Sequence, residues 1–137
     1  MDTNPNFLST YPAVKDFSTQ PAQATGFGVR DEYAERGIDL NEQLVKNKPA
    51  TFFMRVNSDA MIGAGIHVGD VVIVDRSLEA KNGKIIIAVV DDELLIRKLE
   101  TGGGRQRLVD TKGLAPLEIA NGDLKVWGVV TYVIHNV

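Results

Sequence analysis

The sequence predicts a mainly β protein: a single bent antiparallel β domain with one short helix and an extended N-terminal arm. Three observations carry that expectation. From residue 50 onward, short apolar and β-branched stretches alternate with Gly, Asp and Asn turn signals. One stretch near residue 40 has helical spacing. Residues 1–30 hold neither period; Pro5, Pro12 and Pro21 interrupt them, and Ser, Thr, Gln and Ala are common. A chain of 137 residues suits one core, and a hydrophobic fraction of 44% is enough to pack it. The boundaries expected are therefore an arm over residues 1–30, mobile or laid over the domain, and a β domain over 31–137.

The helix is expected over 38–45. Asp39 can cap its first turn with Glu42 three residues on, Leu40, Leu44 and Val45 share a face, and Lys48-Pro49 stops it. Strands are expected at 51–56 and at 71–76, the second entered through Val68-Gly69-Asp70. The run 85–90 follows Lys81-Asn82-Gly83. After Asp91-Asp92, the stretch 93–100 places Leu94, Ile96 and Lys98 on one face and Leu95, Arg97 and Leu99 on the other. Gly102-Gly103-Gly104 turns the chain toward short strands at 105–109 and 117–119. The last strand, 124–135, is apolar on both faces, whereas a half-solvated strand alternates. It is either central to the sheet or covered by a second subunit.

Composition excludes several classes of function. The absence of cysteine removes disulfides, thiolate metal sites and cysteine nucleophiles. No apolar run approaches the roughly 20 residues that span a bilayer, and the first residues lack the basic start and apolar stretch of a signal peptide, so a cytoplasmic protein is expected. A net charge of -3 without a Lys/Arg cluster argues against direct binding to nucleic acid. His67 and His135 are far apart in sequence without a second ligand at metal spacing, so no metal and no cofactor are expected. The Gly63-Ala64-Gly65 and Gly102-Gly103-Gly104 runs lack the frame of a phosphate loop, and Asp91-Asp92-Glu93 reads as a hairpin turn.

One stretch stands apart. Asn57-Ser58-Asp59-Ala60-Met61-Ile62-Gly63-Ala64-Gly65-Ile66-His67-Val68-Gly69-Asp70, followed by Val71-Val72-Ile73-Val74-Asp75, resembles the signature of the LexA/UmuD self-cleaving family: G-D-S-M, a short turn, G-I-x-x-G-D, then an apolar strand ending in D. The likeness extends to Ile38-Asp39-Leu40-Asn41, to Lys81-Asn82-Gly83 and to Val126-Trp127-Gly128-Val129-Val130, and covers roughly residues 33–135. The UmuD branch is the nearer, because the arm is too short for a repressor's helix-turn-helix.

The resemblance implies a serine-lysine peptidase that cuts its own N-terminal arm. A serine hydroxyl attacks only when a base removes its proton. A lysine serves as that base only when a dry pocket keeps it neutral. Here Ala60 stands at the serine position and has no hydroxyl. The lysine position, in a strand motif that reads V-K-[KR]-L, falls on Arg97, which stays protonated. Ser58 lies two residues early and before the turn, a displacement that proximity catalysis does not tolerate. Ala24-Thr25-Gly26-Phe27 resembles the family's small residue-Gly-Phe-Pro cleavage run, which places the ancestral scissile bond at Thr25-Gly26, with Ala24-Thr25 second. Two origins fit the missing pair: a laboratory exchange at position 60 that traps the chain whole, or divergence into a relative that acts only by binding. By resemblance the partners are a second copy, the RecA filament on single-stranded DNA and a UmuC-type Y-family polymerase of the SOS response, with no membrane.

Overall fold

Two tight turns build the middle of the sheet. Asp91 and Asp92 both adopt positive φ, 50° and 64°, the twist that a two-residue hairpin between right-twisted strands requires. Gly103 and Gly104 do the same at the next turn. A computed structural model describes residues 13–14, 16–17, 22–23, 39–120 and 122–137. Its strands are β1 (Ala13–Val14), β2 (Ala22–Gln23), β3 (Thr51–Arg55), β4 (Val71–Asp75), β5 (Ile85–Val90), β6 (Glu93–Gly102), β7 (Arg105–Val109), β8 (Leu117–Ile119) and β9 (Val126–Ile134). They join in the order β2-β3-β4-β9-β5-β6-β7-β8, with β1 added to β6. Every pairing is antiparallel except that of β1, which runs parallel to β6.

The helix α1 (Leu40–Leu44) is a short one capped as expected: Asp39 Oδ1 accepts the Glu42 N–H at 3.3 Å. Position 38 lies outside the described residues. Of the face expected to be apolar, Val45 is buried, while Leu40 is exposed. The helix therefore hangs on its C-terminal end.

The sheet bends until both of its faces carry a core. On one side Met54, Met61, Ile66, Ile87, Ile96 and Trp127 pack together. On the other, Ile86, Ala88, Leu99, Leu108 and Val129 do. Adjacent residues Ile86 and Ile87 thus point to opposite faces and are both fully buried, each worth about 1.5–3 kcal/mol of burial. This is why 85–90 reads as a continuous apolar run.

The last strand is not at the edge of the sheet: it joins β4 to β5 in the strand order. Val126 to Val129 pair with β5 and Val129 to Ile134 with β4, so the two pairings meet at Val129. Gly128 is buried there, and a Cβ on it would stand 2.5 Å from Val74 Cγ1; the close approach admits only glycine. Past Val129 no pairing with β5 is formed, and the strand continues beside β4 alone, Ile73↔Tyr132 to Val71↔Ile134. In that overhang Tyr132, Val133 and Ile134 are each close to 40% exposed (39%, 38% and 39%). Packing within one chain accounts for the apolar faces near Trp127 and Val129, while the overhang stays exposed.

Where the first thirty residues are described, they lie against the domain. β2 extends the sheet at β3, Phe17 bridges to Val56 and enters the first core, and β1 covers the start of β6. Two-residue strands of this kind arise from tertiary pairing and carry no period of their own.

Candidate active site

The loop between β3 and β4 carries position 60. Its base is closed by the Val56 N–H to Asp70 O and the Gly69 N–H to Val56 O, both at 2.8 Å. Met61 and Ile66, each 1% exposed, anchor its interior. Between them the chain makes one 3-10 turn, Ile62–Ala64, and leaves it through Gly65 at φ 85°, a left-handed position that glycine takes without strain. Ala60 is buried. Its N–H donates to Ser58 Oγ at 3.1 Å, so Ser58 serves the local turn. Its carbonyl accepts from the Thr111 N–H at 2.8 Å and the Thr111 hydroxyl at 3.0 Å. Thr111 Oγ1 also accepts the Gly63 N–H at 2.8 Å, and a Cβ on Gly63 would lie 2.8 Å from Thr111 Cβ. Thr111 fixes the position-60 loop from the far side of β7. Nothing in its sequence surroundings marks it out. Beside it, Lys112 Nζ lies 2.7 Å from Asp59 Oδ2 and by that hydrogen bond holds the Asp59 carboxyl below the usual carboxylate range.

Arg97 sits on β6, on the face of Leu95 and Leu99; Lys98 is exposed, on the face of Leu94 and Ile96. The free edge of β6 explains what Arg97 meets. That edge pairs with β1 at Glu93 and Leu94 and with β7 from Lys98 onward, which leaves a gap between them. The arm fills it with a carboxylate: Asp16 Oδ2 accepts the Ile96 N–H at 2.8 Å and a guanidinium N–H of Arg97 at 3.0 Å. The same guanidinium nitrogen donates to Ile96 O at 2.7 Å. Asp16 is 4% exposed and the Arg97 side chain 15%, so the pair is largely dry. On its other side, the Asp16 carbonyl accepts the Asn57 N–H. A single arm residue therefore joins the segment that leads into Ala60 to the segment that holds Arg97. No sequence signal separates Asp16 from the other acids of the chain.

Position 60 thus carries a methyl side chain, and position 97 a guanidinium paired with a buried carboxylate. The cleavage run Ala24, Thr25 and Gly26 lies outside the described residues. The two histidines, read as unrelated, are brought together: their rings lie 5.0 Å apart on either side of Asp70. Burial works against ionisation of Asp70, yet the His67 N–H and then the His135 ring hold its carboxyl below the usual range. Among the described residues no helix is long and apolar enough to cross a membrane.

Residues 18–131 match the peptidase S24-like family, and the chain belongs to that family of serine peptidases. Within it, the relatives are UmuD-like. Protein ImpA of Salmonella typhimurium is 34% identical over 106 residues, which span 76% of this chain and 72% of ImpA. Protein MucA of Escherichia coli is 34% identical over 103 residues, 73% of this chain and 70% of MucA. Protein SamA of Salmonella typhimurium is 33% identical over 109 residues, 76% and 73% of the two chains.

Proposed function

We propose that this chain is a UmuD-type protein of the cytoplasmic SOS response that does not cut itself and works by binding. As a homodimer it is a subunit or regulator of an error-prone, UmuC-type translesion polymerase, with its arm kept. In active members of the family, contact with the RecA filament leads to loss of the arm. Here positions 60 and 97 correspond to nucleophile and base, and neither has the chemistry. The observation that carries this reading is the Asp16–Arg97 pair. It supports the reading because a permanent cation, matched by a buried arm carboxylate, stands at the position that the resemblance gives to the neutral amine.

The same pair favours a relative specialised for binding alone, whose target is a polymerase or a repressor. Such a matched pair needs two residues 81 positions apart, which a single trapping exchange at position 60 does not supply. The dimer rests on the overhang of β9. Its β5-side edge and its apolar Tyr132, Val133 and Ile134 form a surface that a second copy can cover symmetrically.

Sedimentation over a wide dilution range is expected to show a dimer at micromolar concentration, with crosslinks from Thr131 or Val133 to the second copy. The intact dimer should co-elute with the UmuC-type polymerase encoded in the same genome. A micromolar monomer, or crosslinks confined to distant loops, removes this interface; failure to co-elute removes the polymerase as partner.

A further inference from the structure

We infer that His67, Asp70 and His135 form a binding site for one borderline divalent cation, zinc in the first instance. Strand register creates the site. Because Val71 pairs with Ile134, the residue before β4 meets the residue after β9, and His135 Nδ1 comes to 2.6 Å from Asp70 Oδ1. On the other side, the Asp70 N–H donates to His67 O at 3.0 Å and Asp70 Oδ2 accepts the His67 N–H at 2.8 Å. That reciprocal turn holds the His67 ring with Nδ1 3.6 Å from Oδ2.

Three features point to a ligand rather than to a closed polar cluster. The Asp70 side chain is 2% exposed and rigidly bonded, so a fixed anion faces two imidazoles. His67 Nδ1 is buried and finds no hydrogen-bond partner among the described residues, which is costly for a polar nitrogen. One ligand atom from each of the three residues can be chosen so that all lie within 4.8 Å of one another. A tetrahedral zinc ion with bonds near 2.1 Å needs ligand atoms about 3.4 Å apart. The closest contact must open slightly and the widest must close. The histidines can supply that movement, since their side chains are 45% and 52% exposed while Asp70 stays in place.

Two imidazole nitrogens and one carboxylate suit zinc, and also nickel, copper or cobalt, over magnesium or calcium. The remaining coordination positions face solvent and take water. The backbone N–H of His67 already orients the carboxylate, the kind of outer contact that sharpens a metal site. Bound there, the ion would clip the end of β9 to the position-60 loop.

The test uses the full chain, free of any affinity tag and stripped with EDTA, titrated with zinc chloride by calorimetry and followed by NMR of the imidazole nitrogens. One ion per chain should bind with a micromolar or tighter constant, shift both imidazoles and raise the melting temperature. His67→Ala and His135→Ala should each weaken binding by about tenfold or more. His135→Gln, at an exposed position, serves as the variant that keeps the metal-free fold. Absence of saturable binding, or binding that survives either histidine substitution, overturns the site.

Discussion

Ala60→Ser combined with Arg97→Lys is expected to restore self-cleavage at Thr25-Gly26, whereas Ala60→Ser alone leaves the chain whole. The single change supplies a hydroxyl but leaves at position 97 a guanidinium that cannot take a proton. General-base assistance is worth about 10²–10⁴-fold, so its absence reduces cleavage below detection in an ordinary time course. The double change supplies both groups. The structure adds a condition. An amine introduced at position 97 would stand where Asp16 now binds Arg97, and a neighbouring carboxylate favours the charged form. Cleavage by the double variant should therefore rise toward alkaline pH. Adding Asp16→Asn should move that rise toward neutrality, because it removes the opposing charge and keeps a hydrogen-bond acceptor for the Ile96 N–H. Gel time courses over a pH series, with N-terminal sequencing of the product, read all three variants. If Ala60→Ser alone cleaves as well as the double variant, Lys98 or another residue is the base and the assignment of Arg97 fails.

Asp16→Ala is expected to release the arm without unfolding the β domain. It removes the acceptor of the Ile96 N–H and the partner of Arg97 together. Breaking one side of a buried ion pair costs roughly 3–5 kcal/mol, and the lower end applies because Arg97, 15% exposed, can turn its guanidinium to water. Exchange of the Ile96 amide should accelerate by about a hundredfold or more, while the amides of Ile86 and Ile87, inside β5, keep their protection. Unchanged exchange at Ile96 would show that Asp16 does not hold the arm. Equal acceleration at Ile86 and Ile87 would show that the arm and the domain open as one unit.

What could be read from the sequence follows from the range of the interactions involved. Strands 85–90, 105–109 and 117–119 are legible to the residue because Gly and Asp turns bracket them and local turn chemistry sets their ends. The position-60 loop is legible as a motif, because its Gly65 and Gly69-Asp70 turn signals are local. The double-sided apolarity of 124–135 is legible too, but not its division into a buried half and an overhang, which depends on where β5 stops. Asp16 is invisible for a different reason: its role is set by a gap between β1 and β7 on a strand 80 positions away. The meeting of His67 and His135 likewise comes from the register of β4 against β9, a non-local pairing that no spacing along the chain records.

This member of the peptidase S24-like family is expected to keep its arm, because Ala60 offers no nucleophile and Arg97 no base. Intact-mass measurement tests it most directly, on the purified chain after incubation with an activated RecA filament and, separately, alone at alkaline pH. The full-length mass is expected in both samples, unchanged over the whole incubation. A product that begins near Gly26, formed in the absence of any contaminating protease, would contradict it.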